Sequence, residues 1–290
     1  MNYIGLFLML FCVSGVCLEA VAQVSDKDSA RIAEAVSSVG AIEPAAPRKL
    51  LVLYRCDGFR HSSIPYANRM LELASEKTGA FDAVFSDGMD IVDKERLKNF
   101  DGVLLNNTTR LKFENQAQRD VLLDFVRAGK GLIGIHAATD NFYDFPEAAE
   151  MIGGLFDGHP WGAGGTWGMK IDEPNHPLVA AFNDSTFEIR DEIYQIKGPY
   201  SRDTHRVLIS LNMEHPKTAK QGGQKRQDRD NPVSWIKRYG SGRVFYCSLG
   251  HNHDVFWNER VVAHYLAGIQ YALGDLEVDD RPSSREDTEQ

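Results

Sequence analysis

Three segments of this chain share one form, an apolar run that ends in a glycine-flanked histidine, and they constrain the fold more than any other feature. They span residues 50–61, 131–138 and 243–253 and carry His61, His136 and His251. Small residues at each turn allow a strand to end sharply, so the histidine side chain can project from the carboxyl edge of a sheet. Open α/β sheets bind their ligands in crevices at that edge. The pattern therefore predicts an α/β fold with a site built on strand ends.

Strand and helix patterns alternate regularly from residue 49 to residue 140. Short apolar runs predict strands at residues 50–56, 81–85, 101–106 and 131–136, with helices between them. Later strands are predicted at residues 169–171, 192–196, 207–211, 233–238 and 243–249. The alternation predicts a doubly wound, mostly parallel sheet with helices on both faces, and a glycine- and tryptophan-rich insertion over residues 151–168.

The chain divides into four parts by composition. An apolar run from Ile4 to Val16 is shorter than the roughly 20 residues that span a membrane. Ala20 and Ala22 fit the small-residue pattern of a cleavage site, so residues 1–22 are predicted to be a signal peptide. The other parts are a flexible lead-in over residues 23–48, one α/β domain over 49–274 and a disordered tail over 275–290. We expect an exported protein of the bacterial periplasm without a stable membrane span; the alternative is a retained membrane anchor.

Charge and cysteine content restrict the partners. The formal net charge is −9 and the sequence has no basic stripe, which excludes nucleic acid because phosphate binding needs clustered lysine and arginine. Removal of the signal peptide leaves two cysteines, Cys56 and Cys247, near the ends of predicted strands. Free buried thiols are expected there rather than a disulfide, which would need a specific Cα separation.

The turn at residues 134–138 carries a histidine where a hydrolase of similar geometry holds its nucleophile. Elbows of this kind expose a serine or cysteine above the sheet, and neither occurs in this turn. Acyl-enzyme chemistry therefore lacks its nucleophile. An imidazole in this place suits a general base, a general acid or a metal ligand. We expect His136 to be the catalytic base. Further catalytic candidates are His61, His251 and Glu192.

Polar and aromatic side chains near the same segments are candidates for binding the substrate. Arg60, beside His61, could clamp a substrate oxygen near the start of the next helix. Flat aromatic faces next to polar groups suit the stacking of a sugar ring, which predicts a small-molecule carbohydrate as the partner. The substrate-binding candidates are Arg60, His159, Trp161, Trp167 and Trp257.

The same histidines could instead form a metal site. Catalytic zinc needs three protein ligands and an open position. The ligand candidates are His61, His136 and His251, with His159 and a nearby carboxylate as further possibilities. Because these histidines are scattered through the sequence, two alternatives stay open: a divalent ion such as zinc, or acid–base catalysis without a cofactor.

Six motifs in one order make the chain similar to a known family. They are GFRH at 58–61, GIHAATD at 134–140, GGLFDGH at 153–159, DEIY at 191–194, PVSW at 232–235 and GRVFYCSLGH at 242–251. Over residues 48–274 the chain resembles the trehalose-utilisation (ThuA-like) family. The resemblance implies a flavodoxin-like fold of the class I glutamine amidotransferase-like superfamily, without the amidotransferase cysteine. It also implies a role in disaccharide breakdown, alongside oxidoreductases that form 3-keto sugars.

Residues and resemblance together predict an exported carbohydrate-active protein that cleaves or rearranges a 3-keto-glycoside by histidine acid–base chemistry. A ketone at C3 acidifies the C2 proton, so a histidine can abstract it while the C1 substituent leaves. Two alternatives stay open, a non-catalytic sugar-binding protein and a metal-dependent hydrolase.

Overall fold

The computed structural model describes residues 24–283, so the expected signal peptide, residues 1–22, lies outside the described residues. The helices are α1 (Asp26–Ser37), α2 (Ile64–Thr78), α3 (Lys94–Leu97), α4 (Gln116–Arg127), α5 (Pro146–Ile152), α6 (Pro216–Ala219) and α7 (Glu259–Leu273). The strands are β1 (Lys49–Leu53), β2 (Asp82–Ser86), β3 (Gly102–Asn106), β4 (Gly131–Ile135), β5 (Leu155–Phe156), β6 (Thr166–Ile171), β7 (Thr186–Arg190), β8 (Ile196–Lys197), β9 (Arg206–Leu211), β10 (Pro232–Tyr239) and β11 (Gly242–Cys247).

One large sheet organises the molecule. Nine strands lie in the order β2-β1-β3-β4-β11-β10-β9-β6-β7, and β5 pairs with β8 in a separate ribbon. The pairings from β2 to β11 are parallel, and those from β11 to β7 are antiparallel. The predicted flavodoxin-like α/β fold is confirmed, and the sheet carries an antiparallel extension. Its order places the loops that follow β1, β3, β4 and β11 side by side at one edge.

Helices cover both faces of the sheet because successive residues of a strand point to opposite sides. In β1, Leu50 and Val52 belong to one core and Leu51 and Leu53 to the other. Residues of α1, α2 and α7 pack in the first core, and those of α3, α4 and α5 pack in the second. A strand buried on both faces has to be apolar throughout, which explains the continuous apolar runs of β1, β3 and β4.

The segment before β1 is packed against the domain. The side chain of Ser25 caps α1 by accepting a hydrogen bond from the Asp28 N–H. Helix α1 contacts α2, α7 and the 3-10 turn His253–Trp257. Its buried residues are Ile32, Ala35 and Val36. The expectation of a flexible lead-in is therefore wrong for this helix, because its apolar stripe is covered by the domain.

The first part of the predicted disordered tail is also held in place. The Ser283 N–H donates to the His205 carbonyl at 2.8 Å, and the Ser283 hydroxyl accepts from the Val207 N–H at 3.3 Å. The Arg48 guanidinium donates to Asp275 at 2.6 Å. These contacts correct the prediction as far as residue 283, and residues 284–290 lie outside the described residues.

One predicted strand, residues 192–196, is instead a loop between β7 and β8. Its backbone pairs with the insertion rather than with the sheet: the Ile193 N–H donates to the Trp161 carbonyl, and the Gln195 N–H to the Gly158 carbonyl, both at 2.8 Å. Only Ile196 belongs to a strand. The apolar pattern that predicted a strand reflects burial against the insertion.

Both cysteines of the described chain are free, Cys56 half-buried and Cys247 buried, as expected. None of the helices between residues 24 and 283 has the length and apolar character needed to cross a bilayer.

Candidate functional site

The loops that follow β1, β4 and β11 bring three histidines together at the carboxyl edge of the sheet. The ring centroids of His61 and His136 are 4.9 Å apart, and those of His61 and His251 are 5.2 Å apart. The third pair, His136 and His251, is separated by 5.4 Å. Each ring lies nearly perpendicular to the other two, with interplanar angles of 79° to 89°. The three side chains therefore surround one small volume.

The backbone of His136 is held in an unfavourable conformation. Its φ angle is 45°, in the left-handed region, which costs a residue other than glycine roughly 1–2 kcal/mol. The Tyr246 hydroxyl donates a hydrogen bond to the His136 carbonyl at 2.7 Å and lies 3.2 Å from the Thr139 hydroxyl. This buried tyrosine helps to fix the turn that projects His136 from the sheet edge.

The ring of His136 presents one lone pair to the site. Its Nδ1 lies 2.6 Å from the Ser248 carbonyl oxygen. Because a carbonyl only accepts hydrogen bonds, Nδ1 carries the proton and Nε2 of the neutral ring does not. The residue is 0 % exposed, and Nε2 has no hydrogen-bond partner among the described residues. Burial holds the pKa of His136 well below its usual range, so the ring is neutral.

His61 lies next to His136 in a loop that is fixed from its outer side. The Thr109 hydroxyl donates to the Phe59 carbonyl at 2.8 Å, and the Phe59 ring meets the His61 ring edge-on at 4.8 Å. Phe59 is 65 % exposed. Burial, with a contribution from the His251 charge, lowers the pKa of His61 to about 4. At neutral pH the His61 ring is therefore uncharged, like that of His136.

A buried carboxylate positions the loop that carries His251. Asp191 accepts hydrogen bonds from the N–H groups of Gly250, at 2.6 Å, and Asn252, at 2.7 Å, on either side of the histidine. Burial raises the pKa of Asp191 to about 7, and these two backbone N–H groups act in the opposite direction. The next residue, Glu192, approaches the His251 side chain itself, so consecutive carboxylates hold both the backbone and the imidazole.

Glu192 links the buried imidazoles to the surface. Its Oε1 lies 3.3 Å from His251 Nδ1 and 3.8 Å from His136 Nε2, and its Oε2 lies 3.3 Å from His159 Nδ1. The His159 side chain is 54 % exposed. The Glu192 carboxylate raises the pKa of His251, although partial burial of that ring acts in the opposite direction. The contacts form a path from the interior of the site to solvent.

Four residues of the site have the chemistry of a metal centre. Each of His61, His136, Glu192 and His251 offers one ligand atom, and these atoms lie within 4.8 Å of one another. Imidazole nitrogens together with a carboxylate oxygen are typical ligands of zinc and similar divalent ions. We call this set the histidine–glutamate cluster.

The sequence profile of the trehalose-utilisation family, ThuA, matches residues 49–272. The chain belongs to the ThuA family. The matched residues begin at β1 and end within α7, so α1 lies outside the match. A search of curated proteins found no match.

Solved structures share the fold of this ThuA-family protein. A ThuA-like protein from Bacteroides uniformis is 22 % identical, and the comparison covers 79 % of this chain and 94 % of that one with a TM-score of 0.64. A ThuA-like protein from Parabacteroides merdae is 18 % identical over 84 % of this chain and 99 % of its own, with a TM-score of 0.60. At these identities the similarity shows a shared fold.

Two of the predicted sugar-binding tryptophans are structural in this ThuA-family chain. Trp161 is 0 % exposed, and its indole N–H donates to the Thr218 carbonyl at 3.1 Å. The indole N–H of Trp167, also buried, donates to the carbonyls of Gly162 at 3.1 Å and Asp191 at 3.0 Å. Neither ring offers a free face, so the prediction that they stack on a sugar is wrong. Both rings instead fix the insertion and the Asp191 backbone.

Arg60 and Trp257 make their described contacts away from the cluster. The Arg60 guanidinium lies 5.9 Å from the centre of the Tyr54 ring and lines a groove of about 740 Å³ beside α1 and α2. The Trp257 ring lies 5.4 Å from the Arg31 guanidinium of α1 and 6.1 Å from the Tyr66 ring. Both residues belong to the surroundings of the site rather than to its centre.

Three residues of the site were not predicted from the sequence: Phe59, Tyr246 and Ser248. Tyr246 and Ser248 act through a hydroxyl and a backbone carbonyl, and neither group has a sequence signature. The sequence could have indicated these three residues only through their position in motifs that also contain predicted histidines. Phe59 lies in the 58–61 motif, and the other two lie in the 242–251 motif.

Proposed function

We propose that this ThuA-family chain is an exported carbohydrate-active enzyme that cleaves or rearranges a 3-keto-glycoside at the histidine–glutamate cluster. The observation that carries the proposal is the unpartnered, buried Nε2 of His136 beside Glu192, 3.8 Å from its Oε1. Reactive groups of this kind are concentrated at functional sites because a purely structural residue gains nothing from an unpaired buried atom. The family description, trehalose utilisation, supports a glycoside as the substrate.

The chemistry needs one proton acceptor next to a polarised ketone. A carbonyl at C3 acidifies the proton on C2, and a base removes that proton. The C2–H electrons then form the C1–C2 double bond, the C1–O bond breaks, and the departing oxygen takes up a proton. Addition of water across the double bond completes hydrolysis, so elimination and hydrolysis share the same first step.

The His136–Glu192 pair supplies the groups for this first step. In place of His136, the base expected from the sequence, Glu192 can accept the C2 proton and pass it to His159, whose Nδ1 is 3.3 Å from Oε2 and whose side chain reaches solvent. The ring of Phe59 lies 4.8 Å from that of His61, and the residue is 65 % exposed, so it is available to stack on a pyranose ring. The burial of Trp161 and Trp167 takes both rings out of the stacking role that the sugar-binding alternative gives them.

The test is incubation of the purified protein with 3-keto-trehalose and separation of the products by chromatography and mass spectrometry. We expect the release of free glucose by the wild-type protein and a rate at least about 100-fold lower in Glu192→Gln, which loses the proton acceptor, and in His136→Ala, since a catalytic acid or base contributes 10²–10⁴-fold. The matched control is His215→Ala, which removes a histidine paired with Glu188 at 2.7 Å outside the cluster. Full activity in His136→Ala would reject the proposal.

Export is a separate part of the proposal and rests on the apolar run and small-residue pattern of residues 1–22. Expression of the full chain in a Gram-negative host, followed by fractionation, should place a shortened protein in the periplasm. A full-length protein in the cytoplasmic or membrane fraction would contradict export.

A further inference from the structure

Two buried imidazole nitrogens of the cluster, His61 Nδ1 and His136 Nε2, have no hydrogen-bond partner within residues 24–283. The third imidazole, His251, directs its Nδ1 toward Glu192 Oε1 at 3.3 Å. A buried polar atom without a partner costs about 1–3 kcal/mol, and native proteins pair nearly all such atoms. Two such atoms beside a third imidazole therefore indicate a missing ligand that pairs with them.

The ligand has to accept electron pairs rather than donate them. The unpartnered nitrogen of His136 is the one without a proton, because its other nitrogen donates to the Ser248 carbonyl. A sugar ketone offers only lone pairs and cannot bind directly to such nitrogens. A cation placed between the rings would satisfy the nitrogens and bind the ketone oxygen.

The geometry of the cluster suits such a cation. One ligand atom from each residue lies within 4.8 Å of the others, and tetrahedral ligands at zinc distances are separated by about 3.4 Å. Side-chain movements of roughly an ångström close that difference. The three rings are nearly perpendicular to one another, and Glu192 lies between them and the half-exposed His159.

The surroundings of the ligands are those of a metal site. A metal-bound histidine usually donates its second N–H to a backbone carbonyl or a carboxylate, which fixes the ring. His136 does so toward Ser248. Asp191 fixes the loop of His251 through the N–H groups of Gly250 and Asn252. These contacts orient the ligand atoms before an ion binds.

The donor set selects the class of ion. Three imidazoles favour divalent first-row transition metals, whereas Ca²⁺ and Mg²⁺ prefer oxygen ligands. Glu192 is the single carboxylate of the cluster, so a bound divalent ion leaves the site with a net positive charge. That charge attracts the oxygen of a substrate.

We propose that His61, His136 and His251 bind one divalent transition-metal ion, with Zn²⁺ as the reference, and that Glu192 lies beside it as the proton acceptor. The inference deepens the proposed function by naming the group that binds the substrate ketone. A bound ion of this kind acts as a Lewis acid toward a carbonyl oxygen. His159 passes the proton from Glu192 to solvent.

Metal binding is measured on the purified, chelator-treated protein by calorimetric titration with ZnCl₂ and by absorption spectroscopy with CoCl₂. We expect one ion per chain and visible d–d bands of Co²⁺ bound to nitrogen ligands. In His61→Ala and His136→Ala the affinity should fall by at least about 100-fold, because each loses a direct ligand. His159→Ala and His215→Ala are the matched controls and should keep one ion per chain, because neither residue belongs to the cluster.

The inference is overturned if the wild-type protein binds no stoichiometric ion, or if His61→Ala and His136→Ala both bind as tightly as the wild type. Near-UV circular dichroism of the metal-free variants, compared with the metal-free wild type, separates a lost ligand from a lost fold. A protein that binds one ion but leaves 3-keto-trehalose intact rejects the proposed function and keeps the metal site. A protein that cleaves 3-keto-trehalose without a bound ion rejects the metal site and keeps the proposed function.

Discussion

His136 combines a left-handed backbone with a buried, unpaired ring nitrogen. Both features lower stability, and proteins tolerate such strain mainly where it serves a site. Two hydrogen bonds hold the residue in place. The Tyr246 hydroxyl donates to the His136 carbonyl, and the His136 ring donates from Nδ1 to the Ser248 carbonyl. A residue this costly and this well supported is the centre of the site rather than a part of the core.

Replacing Tyr246 with phenylalanine tests this support. The variant Tyr246→Phe loses the hydrogen bond to the His136 carbonyl, so we expect about 1 kcal/mol lower stability and a fall in kcat of roughly tenfold as His136 shifts. Urea denaturation and steady-state kinetics measure the two effects. The matched control is Tyr271→Phe, which removes another buried hydroxyl, 3.0 Å from Asp280. It should lose similar stability and keep kcat. Equal kcat in both variants would contradict the positioning role.

Helix α1 is the element whose packing is least evident from the sequence. A short amphipathic segment followed by the proline-containing stretch 43–47 has the composition of a linker, and only tertiary contacts show where its apolar stripe is buried. The helix contacts α2 and the turn His253–Trp257. These two elements directly follow the loops that carry His61 and His251, so α1 supports two of the three histidine loops from behind.

Truncation of one buried side chain tests whether α1 is docked in solution. Ile32 is 0 % exposed, and Ile32→Ala should lower the free energy of unfolding by about 2–4 kcal/mol, the range for a buried isoleucine. The control is Ile42→Ala, which truncates an isoleucine that is 44 % exposed and should change stability by less than about 0.5 kcal/mol. Urea denaturation of both variants decides the question. Equal small effects would mean that α1 does not contribute to the folded core.

The sequence predicted the elements whose burial is local and missed those whose burial depends on distant partners. Apolar runs alone identified β1, β3, β4 and β11, and the glycine-flanked turns placed His61, His136 and His251 at one edge. The loop at residues 192–196 has the same apolar pattern as a strand, but its partner is the insertion. Tryptophans beside polar residues are typical of a sugar-binding surface, which is why the sequence predicts that Trp161 and Trp167 stack on a sugar. Only the structure shows that both are buried and that their indole N–H groups donate to backbone carbonyls.

The parallel and antiparallel halves of the sheet contribute different parts of the site. The parallel half carries the loops with His61, His136 and His251, and the antiparallel half lies beside the insertion and the loop with Asp191 and Glu192. Alternation of strands and helices predicted the parallel half, because each crossover needs a helix. Strand order in the antiparallel half, β10-β9-β6-β7, follows from long-range pairing that no local pattern encodes.

Acid should destabilise the molecule through its buried neutral histidines, and His205 is the clearest case outside the site. Burial, with the nearby Lys237 charge, lowers the pKa of His205 to about 3, while an unfolded histidine has a pKa of about 6.5. Below that value the unfolded chain binds a proton that the folded chain does not. The free energy of unfolding therefore falls as the pH decreases from about 6.5 toward about 3.

The variant His205→Asn tests this pH dependence, because it keeps a donor near the Ser201 carbonyl, 2.9 Å from Nδ1, and removes the titrating group. Between about pH 7.5 and about pH 5.5 the wild-type protein should lose about 1.4 kcal/mol more stability than the variant. Urea denaturation at the two pH values measures the difference. Identical losses would show that His205 is protonated in the folded protein.

The most direct measurement of the central claim is an X-ray structure of crystals grown with ZnCl₂, with data collected at the zinc absorption edge. We predict one anomalous peak at roughly 2.0–2.1 Å from a ring nitrogen of each of His61, His136 and His251, with Glu192 beside the open position. A cluster without a peak, with its three nitrogens hydrogen-bonded to water or to protein donors, would contradict the account.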